Sequence, residues 1–218
     1  MKKYFFMMIM ALVASIGFAQ EEVAVDPRAM SLLNKAISAF EAKKGVSATF
    51  SVETKNVRND KSNVFEGTLL MKSEKFRLSL QGVETYFDGK TQSVVMEKEK
   101  EVTISQPQAD ELKEVNPILM MKSCKTDFKM RYIGVEKSEG VAVEKIELYP
   151  NNLDNKYSII TLLIMKENLQ PKAMVLKGKD GINTTFKIKK IEYSKIISDE
   201  SFHFDNQKYK NFEVVDLR

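Results

Sequence analysis

The usual constellations of acid–base and nucleophilic catalysis are absent from this sequence, in which the numerous Asp and Glu residues are mostly interleaved with lysine. His203 is the only histidine, so a serine–histidine or cysteine–histidine mechanism would depend on this one residue. It lies in the alternation Phe202-His203-Phe204, which is more typical of a solvent-facing position on a strand. The sequence contains no H-E-x-x-H motif, phosphate-binding glycine loop or dinucleotide fingerprint. We therefore expect no catalytic residue, no metal site and no cofactor, although two carboxylates could still meet in the folded chain as in glycosidases.

Cys124 is the only cysteine, which excludes an internal disulfide and a cysteine-based zinc site. A protein without disulfides needs a core large enough to be stable without covalent cross-links, and about 200 residues are sufficient for that.

Methionine is the residue type that stands out. Beyond the first 20 residues the chain has eight methionines, and two of them end the apolar run Ile118-Leu119-Met120-Met121. Methionine is flexible and fits variable apolar shapes, although it also fills ordinary cores. Four consecutive apolar residues on a short helix leave few faces for water. We therefore expect this run to point into a cavity or to lie under a lid.

Residues 65–80 predict the sheet on which such a cavity would be built. They form two strands joined by a polar turn at Ser73 and Glu74. Apolar side chains alternate along both strands, at Gly67, Leu69 and Met71 and then at Phe76, Leu78 and Leu80. A period of two indicates a sheet with one wet face and one dry face.

Helices are predicted in two places. Asp26-Pro27 has the residue types of an N-cap and first helical position, and an apolar stripe follows at Met30, Leu33, Ile37 and Phe40. Residues 108–121 predict a central helical region with a restart at Asn116-Pro117. The remaining chain predicts a meander, about ten antiparallel strands in all. The fold class is mainly β with α, as a strongly curved sheet or partial barrel.

The first 19 residues predict a cleaved secretory signal peptide. Two lysines precede an apolar run, and Gly17-Phe18-Ala19 offers small residues for cleavage before Gln20. Residues 20–218 are then expected to form a single domain. They hold 32 basic and 30 acidic residues, a net charge of +2, which does not favour nucleic-acid binding. An exported chain without disulfides fits a bacterial periplasm.

Over about residues 28–216 the chain resembles the outer-membrane lipoprotein carrier protein family, LolA. No single motif is specific, but the segments follow in the family's order. These are the N-terminal amphipathic helix, Val46-Ser47-Ala48-Thr49-Phe50, Glu66-Gly67-Thr68-Leu69-Leu70-Met71-Lys72, Lys75-Phe76-Arg77-Leu78, Phe87-Asp88-Gly89-Lys90-Thr91, Asn116-Pro117-Ile118-Leu119, Ile146-Glu147-Leu148-Tyr149-Pro150, Ser201-Phe202-His203-Phe204 and Phe212-Glu213-Val214-Val215.

The resemblance implies an incomplete antiparallel β-barrel covered by the N-terminal helix and a central helical lid. It implies a monomeric periplasmic carrier, with no enzymatic activity, that holds lipoprotein acyl chains inside the barrel. The implied partners are acylated lipoproteins, an inner-membrane lipoprotein-releasing ABC transporter and an outer-membrane acceptor. On this basis we expect the lipid cavity to be lined by Met30, Leu33, Ile37, Phe50, Leu69, Met71, Phe76, Leu78, Ile118, Met121, Leu162 and Ile164.

One position departs from the family pattern. In the well-studied branch an Arg-Pro pair follows the lysine that matches Lys72, and that arginine bonds to the lid backbone and controls opening. Here Ser73 and Glu74 occupy these positions, and Arg77 lies nearby without aligning to the arginine. Lid control at Ser73 and Arg77 must therefore differ from that of the studied branch, or another group must provide it. The chain could also be a divergent carrier of another lipid or glycolipid. Two further candidates are a sensor on the same fold and an exported hydrolase that uses His203.

Overall fold

Twelve β-strands form one sheet in this computed structural model, which describes residues 25–115, 117–193 and 196–218. The predicted signal peptide lies outside the described residues. The strands are β1 (Val46–Asn56), β2 (Ser62–Lys72), β3 (Lys75–Leu80), β4 (Val83–Phe87), β5 (Gln92–Met96), β6 (Glu101–Ser105), β7 (Phe128–Ser138), β8 (Val141–Pro150), β9 (Tyr157–Met165), β10 (Pro171–Gly178), β11 (Ile182–Tyr193) and β12 (Glu213–Asp216).

The strand order is β12-β6-β5-β4-β3-β2-β1-β11-β10-β9-β8-β7, so the curved sheet does not close on itself. Two hairpin meanders, β1–β6 and β7–β11, are joined where β1 pairs with β11 along their whole lengths. This confirms the expected incomplete barrel. The central pairing joins residues more than a hundred positions apart, from Val46 with Tyr193 to Asn56 with Ile182.

The last strand differs from the expected meander. β12 pairs with β6 in parallel, whereas the other described pairs are antiparallel. After β11, which lies at the centre of the sheet, the chain crosses to the far edge before it adds this strand. Phe202 and Phe204 lie on this crossing, and Asp199–Phe202 form a 3₁₀ helix rather than a strand. Their alternation arises because Phe202 is buried and Phe204 stacks on Tyr209, with ring centroids 5.4 Å apart.

Within the described residues, three α-helices accompany the sheet, namely α1 (Pro27–Glu41), α2 (Ala109–Val115) and α3 (Pro117–Asp127). The Asp26 side chain caps α1 by accepting a hydrogen bond from the Arg28 amide at 2.8 Å, and Pro27 follows as the first helical residue, as the sequence predicts. Asp26 also accepts from the Tyr132 amide at 3.1 Å, which ties the start of α1 to strand β7. None of the helices in the described ranges is long and apolar enough to cross a membrane.

Two apolar clusters join the sheet to the helices. The first combines the buried face of α1 and Cys124 of α3 with strands β7–β10. The second combines β1–β4 with Phe40 and with Leu112 of α2. Phe186 of β11 packs against both clusters, at the junction of the two meanders. A third cluster, around Tyr86 and Tyr209, holds the C-terminal segment against β4–β6.

Candidate functional site

An apolar cavity of about 360 Å³ lies where the first two clusters meet. Strands from both meanders and helices α1 and α3 contribute to its wall. Every described residue that lines it is apolar: Phe40, Val46, Ala48, Phe50, Leu69, Leu78, Leu80, Met120, Met121, Leu162, Leu163, Ile164, Pro171, Ala173, Met174, Phe186, Ile188 and Ile191. A wall of this chemistry excludes charged ligands from the cavity and favours hydrocarbon.

The structure brings half of the residues predicted for this site together around the cavity. They are Phe50, Leu69, Leu78, Met121, Leu162 and Ile164. The other described ones lie elsewhere. Leu33 and Ile37 are buried in the solid core beneath α1, and Phe76 is fully buried against Phe87. Met30 lines an open depression on the outside of α1, and Met71 lines a separate small recess. The side chain of Ile118 lies outside the described residues.

Twelve described lining residues were not predicted, and half of them belong to β10 and β11. Pro171, Ala173 and Met174 come from β10, and Phe186, Ile188 and Ile191 come from β11. The alternation at Phe186 and Ile188 was a usable signal, because their period of two assigns them to the dry face of the sheet. Met120 was part of the apolar run on the lid helix but was not singled out.

Gly67 lies against the ring of Phe50, which lines the cavity. It pairs with Phe50 across β1 and β2, and the Phe50 ring lies directly over it. A Cβ added at Gly67 would lie 2.5 Å from Cζ of Phe50 and 2.8 Å from the carbonyl oxygen of Ser79. Only glycine allows this close approach. The absence of a side chain at residue 67 therefore determines how far the Phe50 ring extends into the cavity.

Helix α3 closes one side of the cavity and is attached at both flanks. Its Met120 and Met121 side chains face the cavity. Near its C-terminal end, the Asn151 side chain donates a hydrogen bond to the carbonyl of Thr126 at 2.9 Å. On the other flank, Nζ of Lys122 lies 2.5 Å from a carboxylate oxygen of Glu41 at the end of α1. This helix is the central part of the expected lid.

The Ser73-Glu74 turn, where the family arginine is missing, faces this lid helix. Ser73 has a φ of 54°, in the left-handed region, and both turn residues line the same small recess as Leu119 and Lys122 of α3. Lys72, which precedes the turn, binds Asp199 at 2.6 Å and donates to the Ile197 carbonyl at 2.9 Å. The turn is thus connected to the crossing segment as well as to the lid.

Asp199 also binds Lys75, on the other side of the turn, at 2.6 Å. Hydrogen bonds from Lys72 and Lys75 lower the pKa of the Asp199 carboxyl to about 2, so it is ionised at any physiological pH. Because both lysines reach the same carboxylate, the β2–β3 turn and the 3₁₀ helix are held together.

Arg77 lies on the face of β3 that is turned away from the cavity. Its Nη2 donates to Glu84 at 2.8 Å, and its guanidinium lies 5.0 Å from the ring centre of Tyr86. Glu84 also accepts hydrogen bonds from the hydroxyls of Tyr86 at 2.5 Å and Tyr209 at 2.8 Å. These contacts join Arg77 to the C-terminal segment rather than to the lid.

The electrostatics of this cluster are dominated by Glu84. Burial alone would raise the pKa of Glu84, but hydrogen bonds from Tyr86, Arg77 and Tyr209 outweigh it and lower the pKa to about 2. The charged Glu84 carboxylate therefore holds Arg77, Tyr86 and Tyr209 together under the C-terminal segment.

The remaining candidate chemistry is sparse among the described residues. His203 is exposed directly after the 3₁₀ helix, with Nδ1 3.6 Å from a carboxylate oxygen of Asp88. Cys124 is buried in the first cluster, and burial raises the pKa of its thiol to about 12, which leaves it protonated and unreactive. Within the described ranges no group of three or more His, Cys, Asp or Glu side chains is arranged to hold a metal ion.

Comparison with known families decides the assignment. Residues 41–205, about three quarters of the chain, match the family model described as outer membrane lipoprotein carrier protein LolA. The chain belongs to the LolA family. The family is described as one of carriers of outer-membrane lipoproteins. Membership of the LolA family therefore supports a lipoprotein-binding, carrier-type role for this chain.

Several solved structures are similar to this chain over most of its length. An uncharacterized conserved protein from Thermus thermophilus matches with a TM-score of 0.60 and 13% identity, over 87% of this chain and 99% of that one. A LolA superfamily protein from Nitrosomonas europaea matches with a TM-score of 0.43 and 14% identity, over 81% of this chain and 98% of that one. A putative outer membrane lipoprotein-sorting protein domain from Vibrio parahaemolyticus has a TM-score of 0.43 and 11% identity, over 84% and 99%. A search of curated proteins finds no significant match.

Proposed function

We propose that this protein is a periplasmic carrier that holds the acyl chains of lipoproteins in the apolar cavity and moves lipoproteins from the inner to the outer membrane. One observation carries the proposal, namely a cavity with an entirely apolar described lining in a chain of the LolA family. An acyl chain gains about 0.8 kcal/mol for each CH₂ that it buries. A lipoprotein that leaves its membrane would expose its acyl chains to water, and a cavity of this kind keeps them buried.

The size and composition of the cavity suit a hydrocarbon chain. Its volume of about 360 Å³ lies at the lower end of the ~300–1,000 Å³ typical of ligand sites. Met120, Met121 and Met174 contribute flexible side chains to the wall. Such a wall adapts to acyl chains of different length and shape, as a carrier with several cargoes requires.

A carrier must also release what it binds. Helix α3 is held across the cavity partly by the Lys122–Glu41 ion pair, whose side chains are both about two-fifths exposed. Exposed ion pairs contribute little to stability, so this contact opens at low cost. In the proposed cycle an inner-membrane lipoprotein-releasing ABC transporter loads the cavity, and an outer-membrane acceptor receives the cargo from a monomeric carrier.

Binding of acyl chains is tested with the mature chain, residues 20–218, and a fluorescent C16 fatty-acid probe. We expect saturable binding that Leu69→Glu abolishes, because Leu69 is 7% exposed and lines the cavity. Val64→Glu is the matched control, since Val64 lies on the same strand but is 60% exposed. Equal loss of binding in both variants, or no binding by the wild type, would contradict the proposal.

Transfer needs a second experiment. Inner-membrane vesicles that contain an acylated lipoprotein and its ATP-driven extractor are incubated with the carrier, and the soluble fraction is assayed for lipoprotein. We expect soluble lipoprotein in a 1:1 complex with the wild-type carrier, and its delivery to vesicles that contain the outer-membrane acceptor. If the wild-type carrier binds acyl probes yet solubilises no lipoprotein, it carries a different lipid.

A further inference from the structure

A second, polar recess of about 240 Å³ adjoins the apolar cavity. It lies between the end of α1, the β2–β3 turn and the lid helix α3. Its charged residues are Glu41, Lys43, Glu74 and Lys122, and Ser73 adds a hydroxyl. Phe40 and Val46 line both spaces and form their common wall.

The shared wall places a polar site at one end of a hydrocarbon site. Val46 is only 2% exposed and belongs to the second core cluster, whereas Phe40 is half-buried and lies in the last turn of α1. Because Phe40 is not fully buried and lines both spaces, a rotation of its side chain would join them. An amphipathic ligand with its tail in the cavity would then place its polar end in the recess.

The charges of the recess restrict what that polar end can be. Two acidic and two basic side chains give its lining a net charge of zero. Both cations are already engaged, because Lys122 binds Glu41 at 2.5 Å and Nζ of Lys43 lies 4.8 Å from the ring centre of Tyr193. A ligand with a negative end would have to displace these contacts and would face Glu74.

We propose, on the basis of the carrier function above, that this recess holds the polar end of the acyl ligand and selects for an uncharged one. The amide-linked peptide of a lipoprotein is such an end. A carboxylate or a phosphate is disfavoured there, so free fatty acids and simple anionic lipids are poorer ligands than an acylated peptide with the same tail.

Three probes with the same C16 chain test this selection. They are a palmitoylated peptide amide without net charge, palmitate, and hexadecyl phosphate. Their dissociation constants are measured by displacement of a fluorescent acyl probe from the mature protein at low ionic strength. We expect the wild type to bind the peptide more tightly than either anion.

The variant Glu74→Lys changes the net charge of the recess from zero to +2 at an exposed turn position. We expect it to improve binding of both anions relative to the peptide about two- to fivefold, the range that exposed charges produce. Glu99→Lys is the matched control. Like Glu74, Glu99 is exposed in a turn that connects two strands, but it lies outside the recess. Its three affinities should keep the wild-type ratio.

The outcomes separate the two proposals. If no probe binds the wild type, the carrier function itself is wrong. All three probes could instead bind with the same ratio of anion to peptide affinity in the wild type, Glu74→Lys and Glu99→Lys. The cavity would then bind acyl chains, but the recess would not select the polar end. A preference that shifts equally in both variants reflects the overall charge of the protein and also overturns the assignment of the recess.

Discussion

Nζ of Lys122 lies 2.5 Å from Oε1 of Glu41, and this ion pair joins the lid helix α3 to the last residue of α1. It lies beside the Ser73-Glu74 turn, where the studied branch of the LolA family carries its lid-controlling arginine. In the lid opening proposed above, this ion pair would have to break, as would the bonds from that arginine to the lid backbone.

Lys122→Ala should therefore loosen the lid. We expect the association and dissociation rates of an acyl probe, measured by stopped-flow fluorescence, to rise about two- to fivefold, since exposed pairs contribute at most about 1 kcal/mol. The charge-exchanged variant Glu41→Lys/Lys122→Glu should return the rates towards the wild type. Lys190→Ala, which breaks an exposed pair with Glu192 on β11, is the control and should leave them unchanged. Unchanged rates in Lys122→Ala would show that other contacts hold the lid.

Gly67→Ala should disturb both stability and the cavity. The added Cβ meets the Phe50 ring and the Ser79 carbonyl, so the ring must move into the cavity. Overpacking of this kind costs about 1–3 kcal/mol of unfolding free energy. In a double-mutant cycle with Phe50→Leu, we expect a favourable coupling energy because the smaller side chain makes room. Thr68→Ala, on the exposed face of the same strand, should cost less than about 1 kcal/mol. Additive effects of Gly67→Ala and Phe50→Leu would rule out the clash.

The same strands illustrate what local pattern predicts. Alternation correctly places Leu69 and Leu78 on the dry face, and both line the cavity. It assigns Met71 and Phe76 to the same face with equal justification. These two pair with each other at the turn end of the hairpin, where Phe87, the partner of Phe76 on β4, packs beside its ring. Alternation defines a face, but the distance to the next layer decides whether that face bounds a core or a cavity.

The other half of the wall depends on a pairing that no local pattern encodes. Phe186 and Ile188 reach the cavity only because β11 pairs with β1, which is more than a hundred residues earlier in the chain. Similarly, His203 follows a 3₁₀ helix on the crossing to β6, and the parallel pairing of β12 with β6 is not encoded in any alternation. The order of the elements could be predicted from the family resemblance. The residues that line the cavity could be identified only from the register of the β1–β11 pairing.

Glu84→Gln should reduce stability at neutral pH and flatten its dependence on pH. The pKa of Glu84 is lowered to about 2 in the folded state, below its ordinary value of 4.5. Its charge therefore stabilises the fold above about pH 4.5, and this contribution is lost as pH falls towards 2. We expect the variant to be less stable by about 1–3 kcal/mol at pH 7, because three hydrogen bonds to a charge are weakened.

Urea unfolding from pH 7 down to pH 2 measures this effect. The wild type and Glu84→Gln should differ most at pH 7 and should converge as Glu84 is protonated. Glu213→Gln, an exposed position at the start of β12, serves as the control and should follow the wild type at every pH. A constant difference between the wild type and Glu84→Gln across the whole range would mean that the Glu84 charge is unimportant.

Met174→Trp should shorten the longest acyl chain that the cavity accepts. Met174 lies on β10 between Leu162 and Phe186, and it is a half-buried part of the wall, so a larger ring extends into the cavity. Each methylene that no longer enters costs about 0.8 kcal/mol, or roughly a fourfold loss of affinity. Displacement assays with C12, C14, C16 and C18 fatty acids should therefore show unchanged binding of the short chains and progressive weakening of the long ones.

Val175→Trp, at the next position and outside the described lining, is the control and should retain the wild-type dependence on length. An equal loss at all lengths would mean that the substitution disturbs the fold, whereas no loss at any length would place the acyl chain elsewhere.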